Sequence, residues 1–531
     1  MPIETIPYKE TGFFSKLICD YLAEDDSIRP FYHRFPNIEA FRDQIEEKNK
    51  GYDHSFRKTL VSALKKQLEG LSLSEATQAN IEALHREKTF TITTGHQLNL
   101  FTGPLYFLYK IISVINLSEA LKKEYPDHDF VPVYWMATED HDFEEINYFN
   151  FHGKKIRWNR ADGGAVGELS TQGLDAVLEI FDKEMGSGKF SNGLKELFET
   201  AYTKHRDLTR ATRYLANELF GTYGLVIVDG NDHQLKTAFI PYAHQELEKR
   251  TANYHVTETS SRLMEMGYPE QVSPREINLF YLNEGLRERI IEKDGVYHVN
   301  NTQISFSWED IINELHTYPE RFSPNALLRP LYQEVILPNL CYVGGGGELA
   351  YWLQLKQYFD TVEVTFPILL LRNSALLIQE KSLDKLKRLQ LSVRELFLPV
   401  QELENVHTRR ISEIDIDLSK QREFLKQQFR SMYEIAEKTD ASFLGAVAAQ
   451  EKKQLNGLDK LEKRLLKAQR RKLSGELERI TTLKESLFPG ESLQERHKNF
   501  SEFYVDYGPE LLSVLKKELD PLVNKFTVIS W

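Results

Sequence analysis

Cysteine is scarce: Cys19 and Cys341 are the only two in 531 residues. That excludes a disulfide scaffold and any thiolate-rich zinc or iron–sulfur site, and it suits a reducing cytoplasm. Basic charge is also in deficit. The 79 acidic side chains outnumber 67 basic ones, for a formal charge of −12. Nucleic acid and anionic membranes are therefore poor general partners, since both are met by a basic stripe. Long apolar runs are missing too, and nothing approaches the roughly 18 residues needed to cross a bilayer. The first sixteen residues have no basic start followed by an apolar stretch, so no signal peptide is expected. What remains is a globular composition, 41% hydrophobic and 27% charged. The length is enough for two or more structural units.

Six segments are distinguishable. Residues 1–90 read as mostly helical packing, with Leu60, Leu64 and Leu68, then Ile81 and Leu84, at helical spacing. From 91 to 250, short apolar runs alternate with amphipathic helices. Runs such as 89–93, 130–137, 224–228 and, later, 362–371 lack polar alternation, which predicts strands buried on both faces of a parallel sheet. The intervening 104–122 and 209–223 have helical spacing, giving an α/β fold. Between 251 and 320 the rhythm breaks, and 296–308 reads as a β-hairpin in a small inserted subdomain. The α/β core resumes over 321–382.

Residues 383–488 turn rich in Leu, Lys, Glu, Gln and Arg. Leu425, Phe429, Met432 and Ala436 form one stripe; Leu458, Leu461, Leu465 and Ala468 form another, continuing after a slip from Leu473 to Leu487. A turn at 439–442 folds them into a long antiparallel α-helical coiled coil. Its second arm of about 45 residues would be roughly 70 Å long. Such a seam invites a second copy, so a homodimer is expected. Residues 489–531 return to the core.

In an open parallel sheet, ligands bind beyond the carboxyl ends of the strands. After the first strand come His96, Gln97 and Asn99, polar tips ahead of a helix whose start is marked by Gly103 and Pro104. After the second comes Glu139-Asp140-His141-Asp142, in a stretch holding five carboxylates through residue 145. Acids at a helix start explain Glu144 and Glu145 through the macrodipole. The four before them point to a cation, a metal such as Mg2+, or proton transfer, with His141 as a plausible general base. Gly344, Gly345, Gly346, Gly347 and Glu348 precede another helix and would let backbone approach a phosphate, although the loop is neither a Walker loop nor a spaced dinucleotide fingerprint. Arg329 and Arg372 are anion clamps or structural ion pairs, and Asn373 follows Arg372 at a strand end. With Asp229-Gly-Asn-Asp232 after the 224–228 run, five polar or glycine-rich strand ends together indicate an enzyme site.

The stretches 94–106, 135–145, 323–330 and 344–352 resemble the BshC family, the cysteine ligases of bacillithiol biosynthesis, and the resemblance runs the full length. The chain departs from that pattern at His96-Gln97, where the family tends to Gln-Gln, and in its uninterrupted four glycines. The resemblance implies a Rossmann-like core similar to class I aminoacyl-tRNA synthetases, a connecting-peptide insertion, and a dimerising coiled coil. It also implies the reaction: the carboxyl group of L-cysteine is joined to the glucosamine amine of glucosaminyl-malate, with ATP or another nucleotide activating the carboxyl group. Glu139, Asp140, His141 and Asp142 would be catalytic. His96, Gln97, Asn99, Gly103, Arg329, Arg372 and Asn373 would bind substrate, and the glycine loop with Glu348 would bind nucleotide or another anion. Phe101-Thr-Gly-Pro104 stands where class I synthetases carry a histidine-containing adenylation tetrapeptide, and it retains only the glycine. The alternatives are a nucleotidylyl transferase or ligase acting on another small anionic acid, and a nucleotide-binding coiled-coil adaptor without turnover.

Overall fold

A computed structural model describes residues 2–160 and 163–531. The chain divides into two compact units, residues 1–376 with 494–529, and residues 377–493 with 530–531.

The larger unit is organised by a five-stranded, wholly parallel sheet. Its strands in chain order are Thr89–His96, Asp129–Met136, Val226–Asp229, Asn339–Gly344 and Ile368–Leu371. In space the order runs 368–371, 339–344, 89–96, 129–136, 226–229. Numbered from the chain's first core strand this is 3-2-1-4-5 in reverse, the Rossmann-like arrangement. The order switches direction between the 89–96 and 339–344 strands, which opens a crevice at their carboxyl ends. All eight residues of the 89–96 strand are buried, and the threonines that alternate with Phe90 and Ile92 are accommodated because the Thr91 and Thr93 hydroxyls donate to Asn339 Oδ1 at 3.2 and 2.8 Å. The helix Tyr106–Glu124 covers one face with Leu108, Ile111, Ile112 and Ile115.

Two expectations are corrected. The 362–371 run is a strand only from Ile368. Glu363 has φ +56°, outside the strand region, and Pro367 has no N–H for a ladder. The helix after the first strand starts at Tyr106, not Pro104, because Phe101, Thr102 and Gly103 all take positive φ and delay it.

Between the third and fourth core strands the chain forms an antiparallel five-stranded sheet, in the order 305–306, 296–299, 286–293, 279–283, 322–324. The hairpin read at 296–308 is its edge, with Ser305 opposite His298. At the N-terminus, Pro2–Pro7 pairs antiparallel with Lys525–Ser530, Thr5 lying opposite Thr527.

The smaller unit is helical. Ser419–Ala436 and Ala441–Lys472 lie side by side, joined by a turn in which Asp440 caps the second helix by accepting from the Phe443 N–H at 2.9 Å. Phe429, Ala436 and Val447 form their buried seam, flanked by Leu425 and Tyr433. Arg422 bridges to Asp459 and Glu462 across the pair. The second arm is not one continuous rod: helix 441–472 ends at Leu473 (φ −98°, ψ 15°) and a separate helix spans Ser474–Leu487. The slip from Ala468 to Leu473 moves the apolar stripe off its face, and the backbone breaks there. At about 1.5 Å per residue the 32-residue helix is roughly 48 Å long.

Candidate functional site

A cleft of about 900 Å³ opens in the larger unit at the switch point. Its floor comes from strand ends, Gly95 and His96 on one side and Tyr342 and the glycine loop on the other. Its outer wall comes from the antiparallel insert, which contributes Arg275, Phe280, Arg287 and Arg289.

The cleft's charge is opposite to the chain's. Lys110, Arg275, Arg287, Arg289, Arg329, Arg372 and Arg496 line it, against Glu139, Asp140 and Glu348. At the buried end, Lys110 is 4% exposed and donates to the Gly95 carbonyl (2.7 Å) and to Glu348 (2.6 Å). Glu348 also accepts from the Tyr342 hydroxyl (2.7 Å) and the Gly345 N–H (2.8 Å). Burial opposes ionisation of Glu348, but Lys110 and these donors hold its carboxyl below the usual range. Arg372 pairs with buried Glu495 at 2.7 Å, and its Nε is left without a partner. Arg329 donates through Nη1 to Gln333, and its buried Nη2 likewise has no partner. Among the described residues no ion pair engages the exposed side chains of Arg275, Arg289 and Arg496.

His96 is 7% exposed and its Nε2 has no partner. Burial, reinforced by the Lys110 and Arg372 charges, pushes its pKa well below the ordinary value, so the ring is neutral at pH 7. Asp140 lies across the cleft, held by Gln97 Nε2 (3.0 Å) and the His141 N–H (2.8 Å), with Arg287 3.9 Å away. Its burial would favour the acid form. The hydrogen bonds from His141 and Gln97, together with the Arg287 charge, override that and keep it a carboxylate far into acid.

Of the residues singled out in the sequence, the cleft brings together His96, Gln97, Glu139, Asp140, His141, Arg329, Gly345, Gly346, Gly347, Glu348 and Arg372. The others lie elsewhere. Asp142 is exposed at the start of the short helix Phe143–Ile146. Asn99 donates to the Glu145 carbonyl. Gly103 (φ +65°) supports a tight turn in which a Cβ would come within 2.6 Å of Asn99 Cβ. At Gly344 a Cβ would strike the Tyr342 ring at 2.9 Å, so that glycine serves packing. Asn373 bonds the Ser113 hydroxyl and the Asp520 carbonyl. Glu139, although it lines the cleft, is spent on buried Lys236. The Phe101-Thr-Gly-Pro104 turn is a structural knot, with Asn499 donating to the carbonyls of Phe101 and Gly103.

Five of the seven cleft cations, Lys110, Arg275, Arg287, Arg289 and Arg496, are not among the residues singled out in the sequence. Lys110 is a lone cation in an apolar helical stretch, and Arg287 and Arg289 are two apart on one strand face; both patterns were visible. Magnesium is commonly held by one or two carboxylates together with substrate phosphates and water, and the cleft's carboxylates are Glu139, Asp140 and Glu348. All three cleft carboxylates are already engaged, and among the described residues no cluster of three His, Cys, Asp or Glu could hold a metal.

A Rossmann-like α/β unit with a cationic cleft at its switch point, followed by a helical coiled-coil unit, defines the class of protein. The family model described as "Bacillithiol biosynthesis BshC, N-terminal Rossmann-like domain" matches residues 1–373. The model described as "Bacillithiol biosynthesis BshC, C-terminal coiled-coil domain" matches residues 375–531. Among curated relatives, each named "Putative cysteine ligase BshC", that of Christiangramia forsetii is 58% identical, covering 100% of this chain and 99% of the relative. That of Flavobacterium johnsoniae is 56% identical over 100% of both. That of Flavobacterium psychrophilum is 55% identical over 100% of this chain and 99% of the relative. The chain belongs to the BshC family.

Proposed function

We propose that this chain is the cysteine ligase of bacillithiol biosynthesis, joining the carboxyl group of L-cysteine to the amine of glucosaminyl-malate in the switch-point cleft. The observation that carries this reading is the concentration of seven cationic side chains around one cleft of an acidic member of the BshC family. Such a cleft suits a ligand bearing several carboxylate or phosphate groups.

A free carboxylate is a poor acyl donor, so activation by ATP or another nucleotide belongs to the proposal. The activated acyl carbon is attacked by the amine nitrogen. The phosphate-linked oxygen leaves with the electrons of the C–O bond, and the amine gives up one proton. Arg329 and Arg372, each with an unpartnered buried nitrogen, are suited to holding phosphate or carboxylate oxygens. The unpaired Arg275, Arg289 and Arg496 are suited to the malate carboxylates. Gln97 and Asp140 would orient the reacting groups.

The proposal extends to a cytoplasmic homodimer. No helix among the described residues is long and apolar enough to cross a membrane. In the helical unit Phe424, Ile435 and Leu461 are 68%, 60% and 54% exposed, an apolar face that a second copy would cover.

The test is incubation with glucosaminyl-malate, cysteine and ATP, followed by mass spectrometry. An amide of the two substrates is expected. Folded protein that yields none across a range of metals and nucleotides refutes the reading.

A further inference from the structure

The Glu139–Asp142 motif makes His141 look like a general base, but its surroundings assign it another part. Arg287, on the strand Leu286–Lys293 of the insert, places Nη1 2.6 Å from His141 Nδ1. A guanidinium is always a donor, so at this distance Nδ1 must present its lone pair. The neutral ring then carries its proton on Nε2. The competing partner for Nδ1 is Asp140 Oδ1, which lies at 3.6 Å and is already engaged by the His141 backbone N–H at 2.8 Å. The shorter contact decides the tautomer.

Arg287 is itself fixed. Its side chain is 7% exposed, lies over the Phe280 ring at 4.0 Å, and sits 3.9 Å from Asp140 Oδ1. Phe280 also lies against His141, with ring centroids 5.5 Å apart. The imidazole is thus clamped along its Nδ1 edge and backed by an aromatic ring, while half of its surface (51%) stays exposed. Nε2 has no protein partner among the described residues.

We propose that Arg287 is a positioning residue that locks His141 as the Nε2–H tautomer, so that His141 meets the ligand as a hydrogen-bond donor and not as a proton acceptor. This rests on the amide-forming reading above. When the amine adds to the acyl carbon, the C=O π-electrons move onto oxygen. His141 Nε2–H donates a hydrogen bond to that oxygen without transferring its proton. The oxygen then re-forms the carbonyl as the phosphate-linked group leaves with its electron pair. The insert supplies the clamp and the loop after the parallel strand Asp129–Met136 supplies the donor, so the insert and the Rossmann-like core share one catalytic element.

Two measurements on the full chain test this. The first needs no turnover. With 15N-labelled histidine, two-bond proton–nitrogen correlations report the tautomer of each ring, and the His141 signals are those lost in His141→Gln. The proposal expects a protonated Nε2 and a bare Nδ1 in wild type and in Arg287→Lys, with the two tautomers mixed in Arg287→Ala. A protonated Nδ1 in wild type overturns it. The second is kinetic. Glutamine keeps an N–H donor near the Nε2 position, so His141→Gln is expected to retain turnover within about tenfold of wild type. His141→Ala is expected to lose about a hundredfold or more. If His141→Gln is as impaired as His141→Ala while both stay folded, the donor role is wrong. If wild type makes no amide at all, the proposed function fails while the tautomer result still judges the clamp.

Discussion

His96 offers a test of the cleft's electrostatics that needs no substrate. It is 7% exposed, and burial with the Lys110 and Arg372 charges depresses its pKa well below 6.5. The sign follows from linkage. Below pH 6.5 the unfolded chain binds a proton at this histidine and the folded chain does not, so the contribution to stability is fully present above that value and is lost as pH falls. For a ring that stays neutral in the fold, lowering the pH from about 7.5 to about 5.5 removes about 1.4 kcal/mol of stability. His96→Gln removes the titration and keeps a polar side chain of similar reach. Urea unfolding at the two pH values suits the comparison, because four of the five tryptophans, Trp135, Trp158, Trp308 and Trp352, lie in the larger unit and report on it by fluorescence. Wild type should lose about 1.4 kcal/mol more than His96→Gln across that interval. Equal losses would mean that His96 takes up its proton in the folded state, and that Lys110 and Arg372 do not set the charge of the cleft floor.

Other predictions follow from the same geometry. Asp140→Asn removes the charge opposite Arg287 and is expected to lower kcat about a hundredfold or more, with an unchanged circular dichroism spectrum; full turnover would remove Asp140 from the site. Arg289→Ala deletes an exposed, unpaired cation, so it should raise KM for the anionic amine substrate about fivefold with little change in kcat. It should also flatten the dependence of kcat/KM on salt, measured from about 20 to about 300 mM KCl, a working range of about fifteenfold. Phe424→Asp combined with Leu461→Asp should shift sedimentation from dimer to monomer while leaving the helical signal intact. A wild type that sediments as a monomer would remove the dimer from the proposal.

The core was legible where one physical rule dominates. The unalternating run at 130–137 had to be a strand buried on both faces, and the β-rich stretch at 89–93 had to be a strand beside it, with the crevice beyond them the place to look for ligands. Local strain hid the rest. Nothing in Val362–Leu371 announced the positive φ of Glu363, and the apolar run was read as one strand. Within the site, residue type was legible and direction was not. Asn99 and Asn373 turn their amides to backbone carbonyls, and Asp142 follows the chain out of the cleft as Phe143 and Ile146 go into the core. The pairing of Arg287 with His141 was hidden for a different reason: the two are 146 residues apart, and only the fold of the insert brings them together.

The central claim, that this cleft joins an amine to the carboxyl group of cysteine, is tested most directly with glucosaminyl-malate labelled with 15N at the amine, together with cysteine and ATP. Tandem mass spectrometry should find a product equal to the two substrates less one water, with the label in the amide linkage and the thiol free, and Asp140→Asn should make far less of it. A product linked through sulfur, one lacking the label in its amide, or no product from the folded enzyme would contradict the account.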